Sequence, residues 1–425
     1  MPQIESRNLS RGAAYYGLTI VTLLNFLNYI DRFILSAVLP RIQSDLGLTN
    51  RQAGFLATAF LVTYFITSPI FGPLGDRLSR TRLMALGVSA WSVATAATGV
   101  ARNFAQILMA RSAVGVGEAA YATISPALLS DYFPRAQRGR AFAVFYVAIP
   151  AGAAAGYLLG GLIEPALGWR AAFYVVGLPG IAMALLALTA RDPTRGSAEE
   201  NPLPAAAESF KSTLRGLCRN GPYVGTTLGY AAYTFALGGV QVFLPKYLNE
   251  VRGLDLSRAD YIVGSVTVLA GLGGTFLGGH LGDRLAARVQ HGQLWLSGIS
   301  SIAATVPAWL ALTVPTAPAY LVWLFVAEFF LFLSTGPVNV VTVSVVPIGV
   351  RATAVAVSIF TIHLLGDAIS PPVIGWLADV SSLARAVLIV PVAVAVSGVL
   401  WTTTAAVFPE PKPASHSSST SVSGQ

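Results

Sequence analysis

The chain is poor in two things that most folded proteins use freely. It has one cysteine, Cys218, and only 11% of its 425 residues are charged. One thiol permits no disulfide framework within the chain and suggests no metal site. Soluble domains carry roughly 25% charged residues. The shortage of charge, joined to 54% hydrophobic residues, therefore excludes an ordinary water-facing fold and places the chain in a bilayer. Also missing are a nucleotide-cradling Gly-rich loop, a metal-ligating cluster and a Ser-His-Asp set. An enzyme is not expected, no cofactor or metal is called for, and energy for uphill work must come from an ion gradient rather than ATP.

What the chain does have is a succession of apolar runs. They lie near 15 to 39, 52 to 71, 83 to 101, 105 to 130, 141 to 162, 171 to 189, 223 to 247, 260 to 281, 294 to 314, 319 to 345, 352 to 376 and 386 to 407. Each has about the 20 residues that a helical membrane span needs. They are continuously apolar, hold Gly and Pro, and lack the period-two alternation of barrel strands. The expectation is an all-α integral membrane protein with twelve transmembrane helices in two six-helix bundles. Residues 1–14 form an N-terminal segment, 15–190 the first bundle, 191–221 a Pro-containing linker with mixed charges, 222–408 the second bundle, and 409–425 a Ser-rich disordered tail.

Lys and Arg set the orientation. With the N-terminus inside, 17 of the 27 basic residues fall on the cytoplasmic side, 8 outside, and Arg32 and Arg111 fall within spans. Both termini are then cytoplasmic, in a plasma (inner) membrane. The formal charge of +8 follows largely from this asymmetry and anionic lipid headgroups account for it, so no nucleic-acid partner is expected. The first span lacks a small-residue cleavage pattern and reads as a retained helix rather than a signal peptide. A monomer suffices for this fold.

One phrase occurs twice. Residues 72–82 read GPLGDRLSRTR and residues 279–288 read GHLGDRLAAR, 207 positions apart. A second echo pairs Phe133-Pro134 and Arg138 to Ala141 with Val346-Pro347 and Arg351 to Ala354, 213 apart. Such repetition marks a duplicated transporter. In this reading Gly72 and Gly75 serve a tight reversal between spans two and three, beside Arg77 and Arg80. Asp76 caps the positive end of the span that begins beside Arg351. By pseudo-symmetry Asp283, with Arg284, faces the span starting at Ala141, near Arg138 and Arg140. These contacts would hold the cytoplasmic side shut. The plainer alternative is that they are positive-inside turn residues with no gating role.

Gly72, Asp76, Arg77, Arg80 and Arg82 match a Gly-x-x-x-Asp-Arg-x-x-Arg-x-Arg pattern. In this the chain resembles the major facilitator superfamily, and the second copy keeps Gly279, Asp283 and Arg284. The resemblance spans 15–407 and implies two six-helix bundles rocking about a central site by alternating access.

Charge inside a membrane is costly, about 2.5 to 3.5 kcal/mol per group on the gentlest scale. The first span nevertheless holds Asn25, Asn28, Asp31 and Arg32, and Asn25, Asn28 and Arg32 share a face at i, i+3 and i+7. Span four holds Arg111, Gly115 and Glu118 at i, i+4 and i+7. Two acids and two bases can neutralise one another and also exchange partners. If a proton displaces Asp31 or Glu118, the freed guanidinium of Arg32 or Arg111, with Asn28 beside it, can hold an anionic headgroup. A static network that merely orients helices is the alternative. In the second half Glu328 is either functional or partnered by a backbone or Tyr group. His363 and Asp367 stand at i and i+4 in span eleven and can relay a proton or grip a polar headgroup; the Ser370-Pro371-Pro372 that follows breaks the helix and frees carbonyls toward the cavity. The series Gly152, Gly156, Gly160, Gly161 allows close helix contact and is explained by packing.

The phrases Asn28-Tyr29-Ile30-Asp31-Arg32, Arg111 to Glu118, and Gly366-Asp367-Ala368-Ile369-Ser370-Pro371 look like the spinster-like transporters, here a compact bacterial-type member. Eukaryotic spinsters export sphingosine-1-phosphate or move lysophospholipids out of lysosomes. Joined to the intramembrane charges read above, this gives a proton-coupled carrier of lysolipid-like or sphingolipid-like amphiphiles, with Asp31 and Glu118 coupling to protons and Arg32 and Arg111 taking the head; the resemblance does not imply which lipid. Tyr230, Tyr233 and Phe235, or Phe329 and Phe332, are candidates for the tail, though packing against other helices or lipid explains aromatics as well. Proton-coupled organic anion symporters, for a sugar acid, share the first two phrases and remain an alternative. A non-transporting sensor or passive scramblase is a third reading. The coupling ion is left open between H⁺ and Na⁺.

Overall fold

A computed structural model describes residues 10–194, 210–347 and 350–408; positions 73, 76, 135, 136, 138–140, 143, 210, 351 and 352 are described by their backbone alone. The expected linker is covered only at its two ends, and the expected tail lies outside the described residues.

The first bundle is α1 (Arg11–Leu46), α2 (Asn50–Arg77), α3 (Arg80–Thr98), α4 (Phe104–Tyr132), α5 (Arg135–Leu167) and α6 (Trp169–Ala187). A short helix, α7 (Phe210–Arg219), precedes the second bundle. That bundle comprises α8 (Gly221–Glu250), α9 (Leu256–Ala286), α10 (Gly292–Thr313), the pair α11 (Ala317–Phe332) and α12 (Thr335–Ser344), the pair α13 (Arg351–Ile362) and α14 (Ser370–Val380) joined by a π-turn (His363–Asp367), and α15 (Leu383–Ala386) with α16 (Ile389–Val407). Among the described residues, ten helical stretches are long and apolar enough to cross a membrane. The two that fall short are α3 and α4, and α4 is the helix that carries Arg111 and Glu118.

The helices start where short polar side chains catch orphan N–H groups. Ser10, Ser79, Asn103 and Asn220 cap α1, α3, α4 and α8, and Thr49 forms a reciprocal capping box with Gln52 at α2. Gly47, at φ 64°, ends α1 in the left-handed conformation. Helices outrun the apolar runs at both ends, because a polar turn outside the hydrocarbon continues the backbone hydrogen bonding without entering lipid.

Two expectations about breaks are corrected. Gly72 and Gly75 do not form the reversal between spans two and three: both lie in α2, which runs to Arg77, and the chain turns at Leu78–Ser79. Likewise Gly279 and Gly282 lie in α9. The Asp-Arg phrase is thus a last helical turn, where Arg77 and Arg284 sit favourably against the helix carboxyl end. In span eleven the helix breaks at Gly366 (φ −107°, ψ −105°), ahead of the prolines, which occupy the permitted first turn of α14. Two carbonyls at the break are taken within the protein. Thr234 donates to Ile362 O at 2.9 Å, and Thr58 of the other bundle donates to Ala368 O at 2.6 Å.

The halves meet along α2 with α14 and α5 with α9, and α1 packs on α8. At the end of the molecule where α1 joins α2 the seam is tight. A Cβ on Gly54 would fall 2.4 Å from Pro371 O, and one on Gly375 2.3 Å from Asn50 O. Both carboxylate oxygens of Asp379 at the end of α14 accept 2.9 Å bonds from the backbone N–H groups of Asn50 and Arg51. A charged side chain of one half thus caps a helix of the other. Buried Lys246 of α8 reaches across to Gln43 and Asn50 at 2.5 and 2.6 Å. Nearer mid-helix, Phe65 and Phe360 meet edge to face.

Candidate functional site

The charged residues of α1 and α4 are brought together, each acid taking the base of the other helix. Arg32 Nε donates to Glu118 Oε2 at 2.8 Å, and Arg111 lies 3.4 Å from Asp31 Oδ1. Asp31 also accepts from Thr95 of α3. Burial is nearly complete: Asp31 is 1% exposed, Arg111 2% and Glu118 0%. The Arg32 side chain keeps 15% of its surface open. Its guanidinium lies 5.0 Å from the ring of Tyr29, 4.9 Å from Phe60 and 5.1 Å from Tyr64. Three faces of aromatic electron density stabilise a desolvated cation. Arg111 sits over the same Phe60 ring at 5.2 Å.

Pairing leaves hydrogen-bonding capacity over. Asn28 Nδ2, Arg111 Nε and Glu118 Oε1 are buried without a hydrogen-bond partner among the described residues. Unmet buried polar atoms are expensive, so three of them on the charged stripes of α1 and α4 mark a place built to do something besides pack. Two residues of the expected stripe do other work. Asn25 donates to Phe145 O at 3.0 Å and so ties α1 to α5. A Cβ on Gly115 would meet Thr63 Oγ1 at 2.2 Å and Phe60 O at 2.3 Å, so this position lets α4 press on α2 rather than lining the charge cluster.

In the second half His363 Nδ1 is 2.9 Å from Asp367 Oδ1, inside the π-turn, and both are partly exposed. Gly238 brings α8 hard against Asp367. Glu328 is 6% exposed, with Oε2 unpartnered among the described residues. The tail candidates are mostly packing residues. Tyr233 is buried and donates to Leu331 O at 3.2 Å, while Phe329 and Phe332 lie against glycines of α9.

The gating set is only partly visible. The side chains of Asp76, Arg138, Arg140 and Arg351 lie outside the described residues. Arg80 is corrected: it clamps its own half instead of facing the other. It grips Asp192 at 2.8 Å, Asp131 at 2.5 Å and Pro193 O at 2.5 Å, tying the start of α3 to the end of α4 and to the segment after α6. Asp283 has Gln293 of its own half at 3.4 Å. Arg77 and Arg284 are exposed. Unread in the sequence were the Tyr29–Phe60–Tyr64 collar, Thr95, Lys246, Asp379 and a buried acid in α9, Asp260.

Sequence comparison decides the family. The Major Facilitator Superfamily model matches residues 21–366. Protein spinster homolog 1 of Homo sapiens is 33% identical over 395 residues, covering 87% of this chain and 74% of the relative. Protein spinster homolog 3 of Danio rerio is 30% identical over 392 residues, covering 88% and 79%. The chain belongs to the spinster family of major facilitators. Its twelve-helix fold has a counterpart in a bacterial homologue of the human lysosomal transporter spinster, solved inward-facing and occupied, at TM-score 0.82 and 22% identity over 94% of this chain and 98% of that one. As a spinster-family member it is an integral membrane transport protein, and the α1–α4 charge cluster lies within its first bundle.

Proposed function

We propose that this spinster-family transporter is a proton-coupled secondary carrier of lysolipid-like or sphingolipid-like amphiphiles, working by alternating access. One observation carries the reading: Arg32, held by Glu118 on one side and by three aromatic rings around it, is the partly open member of an otherwise sealed set of paired charges. A proton on Glu118 would release the Nε donor, and guanidinium then offers a planar fork to a phosphate or carboxylate head. Asp31 and Arg111, fully buried, form the second pair through which the exchange is balanced. Tyr29, Phe60 and Tyr64 give the adjoining surface the apolar character that an amphiphile needs.

The distribution of arginines supports an orientation with both termini inside a plasma (inner) membrane. The tight α1–α2 end then faces outward and the molecule is closed to the outside. We infer that Asp76 and Arg351, with Arg77, Asp283 and Arg284, form the corresponding contacts of the opposite state, and that one chain is the transporting unit.

The test is reconstitution into liposomes with an internal pH dye, wild type beside Glu118→Gln. Lysolipid or sphingosine-1-phosphate is expected to drive proton flux in the wild type and none in the variant. Flux with a sugar acid and none with lipid would make the chain an organic anion symporter. No flux with either would support a sensor or passive scramblase.

A further inference from the structure

The most unusual acid in the molecule stands apart from the α1–α4 cluster. Asp260 lies one turn into α9, on the seam where α9 meets α5 of the other half. It is 0% exposed, and both carboxylate oxygens lack a hydrogen-bond partner among the described residues. Gly161 of α5 is what allows the approach: a Cβ there would come 3.1 Å from Asp260 Cβ and 3.1 Å from Ser257 O. The acid is therefore covered by the opposite bundle, and parting the halves at this end would uncover it.

Its neighbours supply it no countercharge. Tyr157 and Glu164 of α5 lie toward it, as does Asp255, the residue that caps α9; the charges that reach it, those of Glu164 and Asp255, have its own sign. Arg41 of α1 is paired with Glu164 at 2.9 Å. Glu328 of α11 adds a further acid beside Tyr157. Lys246 of α8 is committed to Gln43, Asn50 and Glu250. Arg258 is exposed, and α10 and α12 carry no ionisable side chain. A carboxylate with no countercharge and no donor is not kept ionised in such a place; it takes a proton or the seam opens.

We propose that Asp260 is a second proton-binding site, loaded from the solution beyond the α1–α2 end, whose protonation licenses the two halves to close over it. The proton neither reaches nor needs the Asp31 and Glu118 cluster, and the proposal holds whatever substrate the carrier moves. Closure takes up one proton here. Over the range where the uncovered carboxylate is ionised and the covered one protonated, the closed-to-open ratio falls tenfold for each unit of rising pH. Low pH on that side favours closure, and high pH favours opening.

The experiment uses the full chain in lipid nanodiscs, with Cys218→Ser and spin labels at Leu167→Cys and Val251→Cys, both exposed positions at this end, one in each half. Distances between the labels are followed from pH 5 to pH 9. In the wild-type background the long-distance population should grow with pH. Asp260→Asn should remove one proton's worth of that slope and remain closed at alkaline pH. A slope in Asp260→Asn equal to that of the wild type overturns the proposal. So does a wild-type distance that ignores pH.

Discussion

At the scale of single residues, the two cross-helix ion pairs are chemically alike and physically unequal. Arg111 is sealed in, with Asp31 as its carboxylate, whereas Arg32 has an aromatic collar and some open surface. Removing one partner of a fully buried pair strands the other at a cost of about 3–5 kcal/mol. Asp31→Asn should therefore lower thermal stability markedly, by about that amount, and Glu118→Gln much less. Both variants should lose driven transport. Unfolding in detergent followed by intrinsic fluorescence checks the order, and equal losses would contradict it. The polar residues of α1 and α4 were legible because each is an expense in an apolar run. What could not be read was the crossing of partners, since spacing along one helix does not say which side chain of another it will meet. Asp260 and Asp379 escaped notice for a related reason. A lone acid near the end of a span looks like a loop charge, and the peptide groups that Asp379 caps are more than 300 residues away in the chain.

At the scale of elements, the seam between α2 and α14 rests on the absence of side chains. Substituting Gly54 by Val would drive a methyl into the Pro371–Pro372 backbone, which cannot swing aside as a side chain can. The expected result is loss of the closed α1–α2 end. A cysteine placed at Ala53, which is fully buried, should become reactive toward an impermeant maleimide in Gly54→Val and stay protected without it. Helix existence was readable here from apolar length alone. The breaks were not: the proline pair advertised an interruption, yet the π-turn comes earlier, at Gly366, where α8 comes so close that a Cβ would meet Thr234 Oγ1 at 2.1 Å. Tertiary crowding, absent from the local sequence, chose the position. Arg80 carries the same lesson, since nothing in a turn phrase says whether an arginine will reach its own bundle or the other.

At the scale of the whole molecule, the duplication makes a statement about balance. Asp379 caps α2 at one end of the seam, and Asp76, in the reading proposed above, does the same for α13 at the other. If each carboxylate holds one closed state, Asp379→Asn and Asp76→Asn should displace the equilibrium in opposite directions. The double variant should then return it toward the starting ratio. Cysteine accessibility measured separately from each side of a vesicle gives the answer, and shifts of the same sign would show that the two ends are not counterparts. Fold and family were legible at this scale because a doubled phrase survives in any conformation.

The Arg80 clamp reaches further than the turn it was first read in. By gripping Asp192 and Pro193 it fastens the chain leaving the first bundle to that bundle, while Asn220 donates to Val345 O at 2.8 Å and fastens the returning chain to the second. The connection is therefore anchored to a bundle at each end, and in the mechanism proposed above it need not position either one. Each bundle thus holds its own end of the connection. Cut after Arg195 and expressed as two polypeptides, the protein should still assemble and transport, and a longer connection should be tolerated.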